Sequence, residues 1–442
     1  MLKDVVWVTS NSKRLLLTHC LRQILQNFIS TFLGAYFLSV TGGNVITVAK
    51  YYVVAYVMHI IFFYVIYKFA TKIRDIHIYR VSLVVKLIEC ACLLFLGKNV
   101  VDYIYLIAIA EGLSQSLYYT VYKTLIMDLA DKKNFGSYFS VARAGECIIS
   151  FVCGIGMAEI ITNFGFSVVF IILTISMVIT LISSFTIRTK LNKQKKAVPF
   201  SVTNFFKHTH NRHALYRILA IQFCYGLGQG GLLAVLINLV ISLKSGGNQT
   251  LGYLASAVSL FAIAYSFIHK KYIDQANFKE RLLPASIILF ILAIPLALTG
   301  NLLVIVAFRF LDSALTTSTV IENDNTSYAL LPTITAQKYK KEYFYVREVV
   351  LNISRMISMA LIILVIKITG SNDYLPYLFL LGTVGYFACI VIINGLYKYY
   401  LVGPCEEARL EQLQEEINLA EISTRCNDIE EEKKETVQAL AK

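Results

Sequence analysis

Arg309 and Asp312 stand three residues apart in RFLDSALTTSTVIENDN, residues 309–325. Thr316 and Thr319 continue the same helical face, and Glu322 and Asp324 follow about one turn deeper. Two apolar runs, LPASIILFILAIPLALTG and NLLVIVAF, lead into the stretch, so by position it crosses a membrane. An Arg or Asp at the centre of a lipid-facing helix costs about 2.5–3.5 kcal/mol on insertion scales. These side chains must therefore face something other than lipid. An arginine on a cavity wall grips a carboxylate or phosphate through its planar fork. A carboxylate drawn out of water can exchange a proton at physiological pH. The chemistry is that of carrying a solute across a membrane.

Three further helices show the same patterning. His19, Arg22, Gln26 and Ser30 share one face of the first apolar run. Glu111, Gln115, Tyr118 and Tyr122 share a face of the fourth, and Gln222, Tyr225, Gly226 and Gln229 a face of the seventh. We read Arg22, Gln26, Gln115, Tyr118, Gln222, Gln229, Arg309 and Thr316 as substrate-binding candidates. Glu111 and Asp312 are the proton-coupling candidates, with Arg309 tuning Asp312. For His19, packing at the membrane interface and proton transfer both stay open. Arg143 and Glu146 form an i,i+3 pair in the fifth run. Glu348, Asn352 and Arg355 share a face of the eleventh, next to Arg347. Arg143, Glu146, Arg347, Glu348 and Arg355 are expected to act in gating, although long arginines near helix ends also snorkel to water. Lys86 and Glu89 read as a pair that neutralises itself within one helix.

The elements that position these residues are apolar helices. The chain has 442 residues, 57% hydrophobic and 16% charged. Soluble domains carry about 25% charged residues. About 20 apolar residues span a bilayer, and twelve such runs are present: 14–40, 45–70, 78–97, 99–128, 136–161, 165–187, 214–243, 250–270, 281–299, 301–329, 342–369 and 373–402. The expected fold is an all-α membrane protein, with twelve transmembrane helices as two six-helix bundles. We divide it as 1–187 for the N-terminal bundle, 188–213 for a basic linker, 214–402 for the C-terminal bundle and 403–442 for an acidic tail.

Basic residues cluster in one set of loops, among them Lys68, Lys72, Arg74, Lys132, Lys133 and the run from Arg188 to Lys196. The opposite loops hold little beyond Lys98 and Lys244. The positive-inside rule then puts the basic loops and both termini in the cytoplasm, and the plasma membrane is the expected location. The net charge of +13 is a topology signal rather than a sign of nucleic-acid binding. From Glu406 the tail has eleven acids against five bases, with Leu410, Leu413 and Ile417 as a short apolar stripe. It reads as a solvated tail, with a docking helix for a weak protein contact as the alternative. Nine cysteines without CxxC or metal spacing read as free thiols. No GxxxxGK[ST], HExxH or nucleophile-elbow motif occurs. We therefore expect no enzyme, no metal and no cofactor.

The halves carry faint echoes of each other. SYFSVARAGE (137–146) resembles EYFYVREVVL (342–351), and EGLSQSL (111–117) lies where RFLDSAL (309–315) lies in the second half. Six plus six helices, a basic central loop and this repetition resemble the major facilitator superfamily over residues 14–402. The loop KFATKIRDIHIYR (68–80) keeps the basic residues and Asp75 of that superfamily's signature, without its glycines. HKKYIDQANFKER (269–281) keeps Asp274, Lys279 and Arg281. GECIISFVCGIG (145–156) lacks the Gly-Pro of drug/proton antiporters. The resemblance implies that the first, fourth, seventh and tenth helices line a central cavity. The function expected is secondary active transport, by alternating access and coupled to protons, of a polar or amphiphilic substrate with an anionic group. A flippase for an anionic lipid or glycolipid, and a transporter-like sensor or scaffold, are the alternatives. The partners implied are a small-molecule or lipid substrate, protons and the bilayer.

Overall fold

The computed structural model describes residues 10–69, 73–129, 135–187, 200–245, 247–272, 278–299 and 301–397. Among them run twelve long helices. The first half holds α1 (10–40), α2 (Val45–Phe69), α3 (Asp75–Leu96), α4 (Ile104–Leu129), α5 (Phe135–Phe164) and α6 (Phe166–Ser184). The second holds α7 (212–245), α8 (Asn248–Tyr272), α9 (Phe278–Thr299), α10 (Leu302–Ala329), α11 (Lys340–Thr369) and α12 (Leu378–Tyr397). Eight of the twelve are apolar enough along their length to cross a membrane on composition alone. The other four are α1, α3, α4 and α8. In α1, α3 and α4 the dilution comes from charged and amide side chains turned into the protein. The basic run from Arg188 to Lys196 and the acidic tail 403–442 lie outside the described residues.

Local sequence explains the breaks between helices. Asn301 caps α10, its side chain accepting from the Leu303 N–H, and Asn211 caps α7 through the Ala214 N–H. Gly165 joins α5 to α6 at φ 80°, a left-handed conformation that favours glycine. Part of the linker, expected as loop, forms a short helix, Val202–Lys207, capped by Ser201. Phe200, just before it, stacks on Tyr67 of α2 and meets Tyr345 of α11 edge-on. Two of the long helices are not uniformly α-helical. α1 widens to a π-helix at Ile29–Leu33 and α7 at Gly228–Leu236. Such widenings recur at functional sites.

Packing builds each half around its own core. In the first half α1 packs on α5 and α6, α2 on α4, and α3 on α4 and α6. In the second, α7 packs on α11, and α10 on α8 and α9. The halves meet chiefly along α5–α8 and α2–α11. Glycines permit the first of these seams. A Cβ on Gly252 of α8 would lie 2.3 Å from Ala158 Cβ and 2.4 Å from the Gly154 carbonyl oxygen of α5. Ser256 donates across the seam to the Phe151 carbonyl at 2.8 Å. Nearby, Asn238 of α7 donates to the Ser30 carbonyl of α1 at 2.8 Å.

Candidate functional site

A cavity of about 310 Å³ lies between the halves, walled by α1 and α5 on one side and α7, α8 and α10 on the other. Two ion pairs, each one helical turn in length, face it from opposite halves. On α5, Arg143 Nη1 lies 3.0 Å from Glu146 Oε2. On α10, Arg309 Nη1 lies 3.3 Å from Asp312 Oδ2. The i,i+3 spacing read from the sequence creates both. The remaining wall is uncharged and mixed: Gln26 and Asn27 of α1 and Gln229 and Asn238 of α7 are polar, while Ala234 of α7 and Ala255, Val258 and Ala262 of α8 are apolar. The π-helical stretch of α7 carries Gln229 to the wall, and that of α1 carries Ser30.

Of the substrate-binding candidates, Gln26, Gln229, Arg309 and Thr316 line this cavity. Arg22, Gln115, Tyr118 and Gln222 lie behind the wall. Arg22 is only 1% exposed, with its guanidinium 3.6 Å over the Tyr118 ring and Nη2 donating to Gln115 Oε1 at 3.0 Å. Gln222 donates to Asn323 Oδ1 at 2.7 Å, inside the second half. Of the coupling candidates, Asp312 is on the cavity wall and Glu111 is one layer back. Lys86 reaches from α3 to hydrogen-bond Glu111 of α4, and donates to Glu89 Oε2 at 3.0 Å. The Lys86–Glu89 pair is thus part of a three-membered buried cluster that includes Glu111. Charges buried this deeply are tolerated only with such partners.

Glu146 is the most heavily bonded acid of the wall. Besides Arg143, it accepts from Gln23 Nε2 at 3.1 Å and lies 3.0 Å from His19 Nε2. His19 is buried and also hydrogen-bonds Tyr118 through Nδ1. Asp312 is held by a residue that sequence reasoning missed. Tyr386 of α12 donates to its Oδ1 at 2.7 Å and is hydrogen-bonded to Thr316. α12 reads as a lipid-facing apolar helix, and a single tyrosine hydroxyl in GTVGYFACI was the available signal.

The remaining gating candidates sit along α11. Arg347 Nη2 bonds not Glu348 but Asp324 Oδ1 of α10, at 2.7 Å. Glu348 Oε2 approaches His59 Nε2 of α2 at 3.8 Å, across the α2–α11 seam. Arg355 lies 5.7 Å from the Tyr56 ring centroid, again across that seam. Gly230 makes room for it, since a Cβ there would come within 2.8 Å of Arg355 Nε. Among the described residues no group of three or more His, Cys, Asp or Glu is placed to hold a metal ion.

Residues 15–343 match the sequence profile of the Major Facilitator Superfamily. Among curated proteins, the uncharacterized protein YqgE of Bacillus subtilis (strain 168) is 22% identical over 365 residues, which is 78% of this chain and 80% of that protein. Among solved structures, a bacterial homologue of the iron transporter ferroportin, in its outward-facing state, has a TM-score of 0.64 at 10% identity. It covers 88% of this chain and 100% of its own. The human organic anion transporter MFSD10 (TETRAN) has a TM-score of 0.62 at 10% identity, over 88% of this chain and 99% of its own. At such identities the likeness is one of fold.

Proposed function

The chain belongs to the Major Facilitator Superfamily and is a multi-pass membrane transporter, and we propose that it moves a polar or amphiphilic substrate with an anionic group by alternating access, coupled to protons. The observation that carries this reading is the Arg309–Asp312 pair on the wall of a cavity shared by both halves. At 3.3 Å the pair is longer than the usual 2.7–2.9 Å of a charge-assisted bond. An incoming anion competes with Asp312 for the guanidinium. Once displaced, Asp312 is a buried carboxylate without its cation, a state that costs several kcal/mol. Taking up a proton removes that cost. Anion and proton therefore load together, and each leaves when the other does.

In this reading Arg309 holds the anionic group, and Gln26, Gln229 and Thr316 contact the substrate from the same wall. The Glu348–His59 and Arg355–Tyr56 contacts, which cross the α2–α11 seam, make and break as the halves rock, while Arg143–Glu146 and Arg347–Asp324 hold the gating faces of their own halves. Glu111, tied to Lys86, sets the charge of the layer behind the cavity. Residues 1–187 and 214–402 are the two rocking bodies, and the basic loops face the cytoplasm of a cell membrane. The test is proton uptake, read with an entrapped pH-sensitive dye, in proteoliposomes on a sudden jump in organic anion, with and without an inward proton gradient. Anion-evoked proton uptake that grows with the gradient and vanishes in Arg309→Ala is expected. Proton uptake unchanged in Arg309→Ala, or in Asp312→Asn under the same gradient, contradicts the assignment.

A further inference from the structure

Two buried charges in the first half fix the polarity of an amide on the cavity wall. The Arg22 guanidinium can only donate, and its Nη2 donates to Gln115 Oε1 at 3.0 Å. Gln115 must therefore turn its oxygen toward Arg22 and its NH₂ group away. That NH₂ donates to Glu111 Oε1 at 2.7 Å and to Gln26 Oε1 at 3.0 Å. Glu111, bonded to the Lys86 ammonium, is an acceptor. Reversing the Gln115 amide would set NH₂ against guanidinium and oxygen against carboxylate. Both ends thus demand one orientation, and both NH₂ hydrogens are used. Gln26 has to offer its oxygen to Gln115. Its own NH₂ group is left over, without a hydrogen-bond acceptor among the described residues, on a side chain that lines the cavity.

We infer that Gln26 is a hydrogen-bond donor to the substrate, specifying an acceptor oxygen at the first-half wall, with Arg22 and Glu111 as positioning residues that act on it through Gln115. The inference rests on the reading that an anionic group enters this cavity. It adds a second donor, in the other half, on the wall of the same cavity as Arg309. It also gives Arg22 and Glu111 a task that needs no contact with substrate. They preset the wall so that no amide has to turn when the ligand arrives, which is how preorganisation raises affinity.

The test titrates purified full-length protein with linear carboxylates from acetate to octanoate, and with alkylammonium ions of matching length. Binding is read from the shift of the unfolding midpoint. Gln26→Met removes the donor at similar volume, Gln26→Glu replaces it with acceptors alone, and Gln115→Met frees the Gln26 amide to turn. Wild type is expected to favour carboxylates. Gln26→Met should weaken them about tenfold or more, Gln26→Glu should reverse the preference toward ammonium, and Gln115→Met should narrow it. Unchanged carboxylate affinity and preference in both Gln26 variants, where Arg309→Ala does weaken binding, overturns the inference and leaves the reading standing. Carboxylate binding that survives Arg309→Ala, or none in wild type, overturns the reading and the inference with it.

Discussion

Tyr386 on α12 donates a hydrogen bond to Asp312 on α10 at 2.7 Å, and so anchors the cavity carboxylate to a helix outside the cavity wall. A bond to a charged acceptor contributes about 1.5–3 kcal/mol. Tyr386→Phe should cost stability of that order, read as a lower unfolding midpoint. It should also weaken the pH dependence of anion binding, because Asp312 loses its fixed rotamer. Titration calorimetry at two pH values checks the second effect. Wild-type pH dependence in Tyr386→Phe would show that Asp312 needs no such anchor.

Lys86 is 1% exposed and holds two carboxylates, Glu89 and Glu111. Removing one partner of a buried ion pair costs about 3–5 kcal/mol, because the other charge stays behind. Lys86→Met should therefore be among the most destabilising changes in the first half. Adding Glu89→Gln should recover part of the loss, since it removes one of the stranded charges. Thermal unfolding of the single and double variants decides this. Equal midpoints for Lys86→Met and wild type would mean that the cluster is not charged as drawn.

Two glycines of the α5–α8 region predict opposite outcomes. Gly252 has no room for a side chain, and Gly252→Val should force α5 and α8 apart at about 1–3 kcal/mol. Gly156 of α5 has nothing within 4 Å of a would-be Cβ. Gly156→Ala should be neutral or stabilising by up to about 1 kcal/mol, through helix propensity alone. The comparison is made on unfolding midpoints in one detergent.

The acidic tail separates transport from signalling. If the cavity does the work, deleting residues 404–442 should leave anion-induced stabilisation within error of the full chain. Loss of that response on deletion, with cavity variants silent, would favour the sensor reading.

Much of the wall was legible in the sequence, and the reason is geometric. Steps of three and four on one helix place Arg309, Asp312 and Thr316 on a common face, and all three line the cavity. Gln26 and Gln229 follow the same rule. A helical face is broad, however, and its edges meet neighbouring helices. Arg22 shares a face with Gln26 yet points one layer back, and Glu111, Gln115 and Tyr118 sit on α4, which was expected to line the cavity and contributes no residue to its wall, α5 and α8 taking that place. Partners far apart in the chain left no trace at all. Lys86 was read with Glu89 three residues on, whereas its bond to Glu111 depends on how α3 packs against α4. Arg347 reads from the sequence as a gating arginine with no partner assigned, and the structure pairs it with Asp324, 23 residues upstream on α10. Tyr386 was hidden because an aromatic ring in an apolar run counts as apolar until its hydroxyl finds a partner.

The most direct measurement is the unfolding midpoint of purified wild-type, Arg309→Ala and Asp312→Asn protein against a panel of organic anions, at one acidic and one alkaline pH. A ligand that binds the native state stabilises it by RT ln(1 + [L]/Kd). The predicted result is a subset of anions that stabilises wild type more at acidic pH, does nothing for Arg309→Ala, and stabilises Asp312→Asn equally at both. Stabilisation of Arg309→Ala to the wild-type extent, or a pH response that persists in Asp312→Asn, would contradict the assignment of anion and proton to this pair.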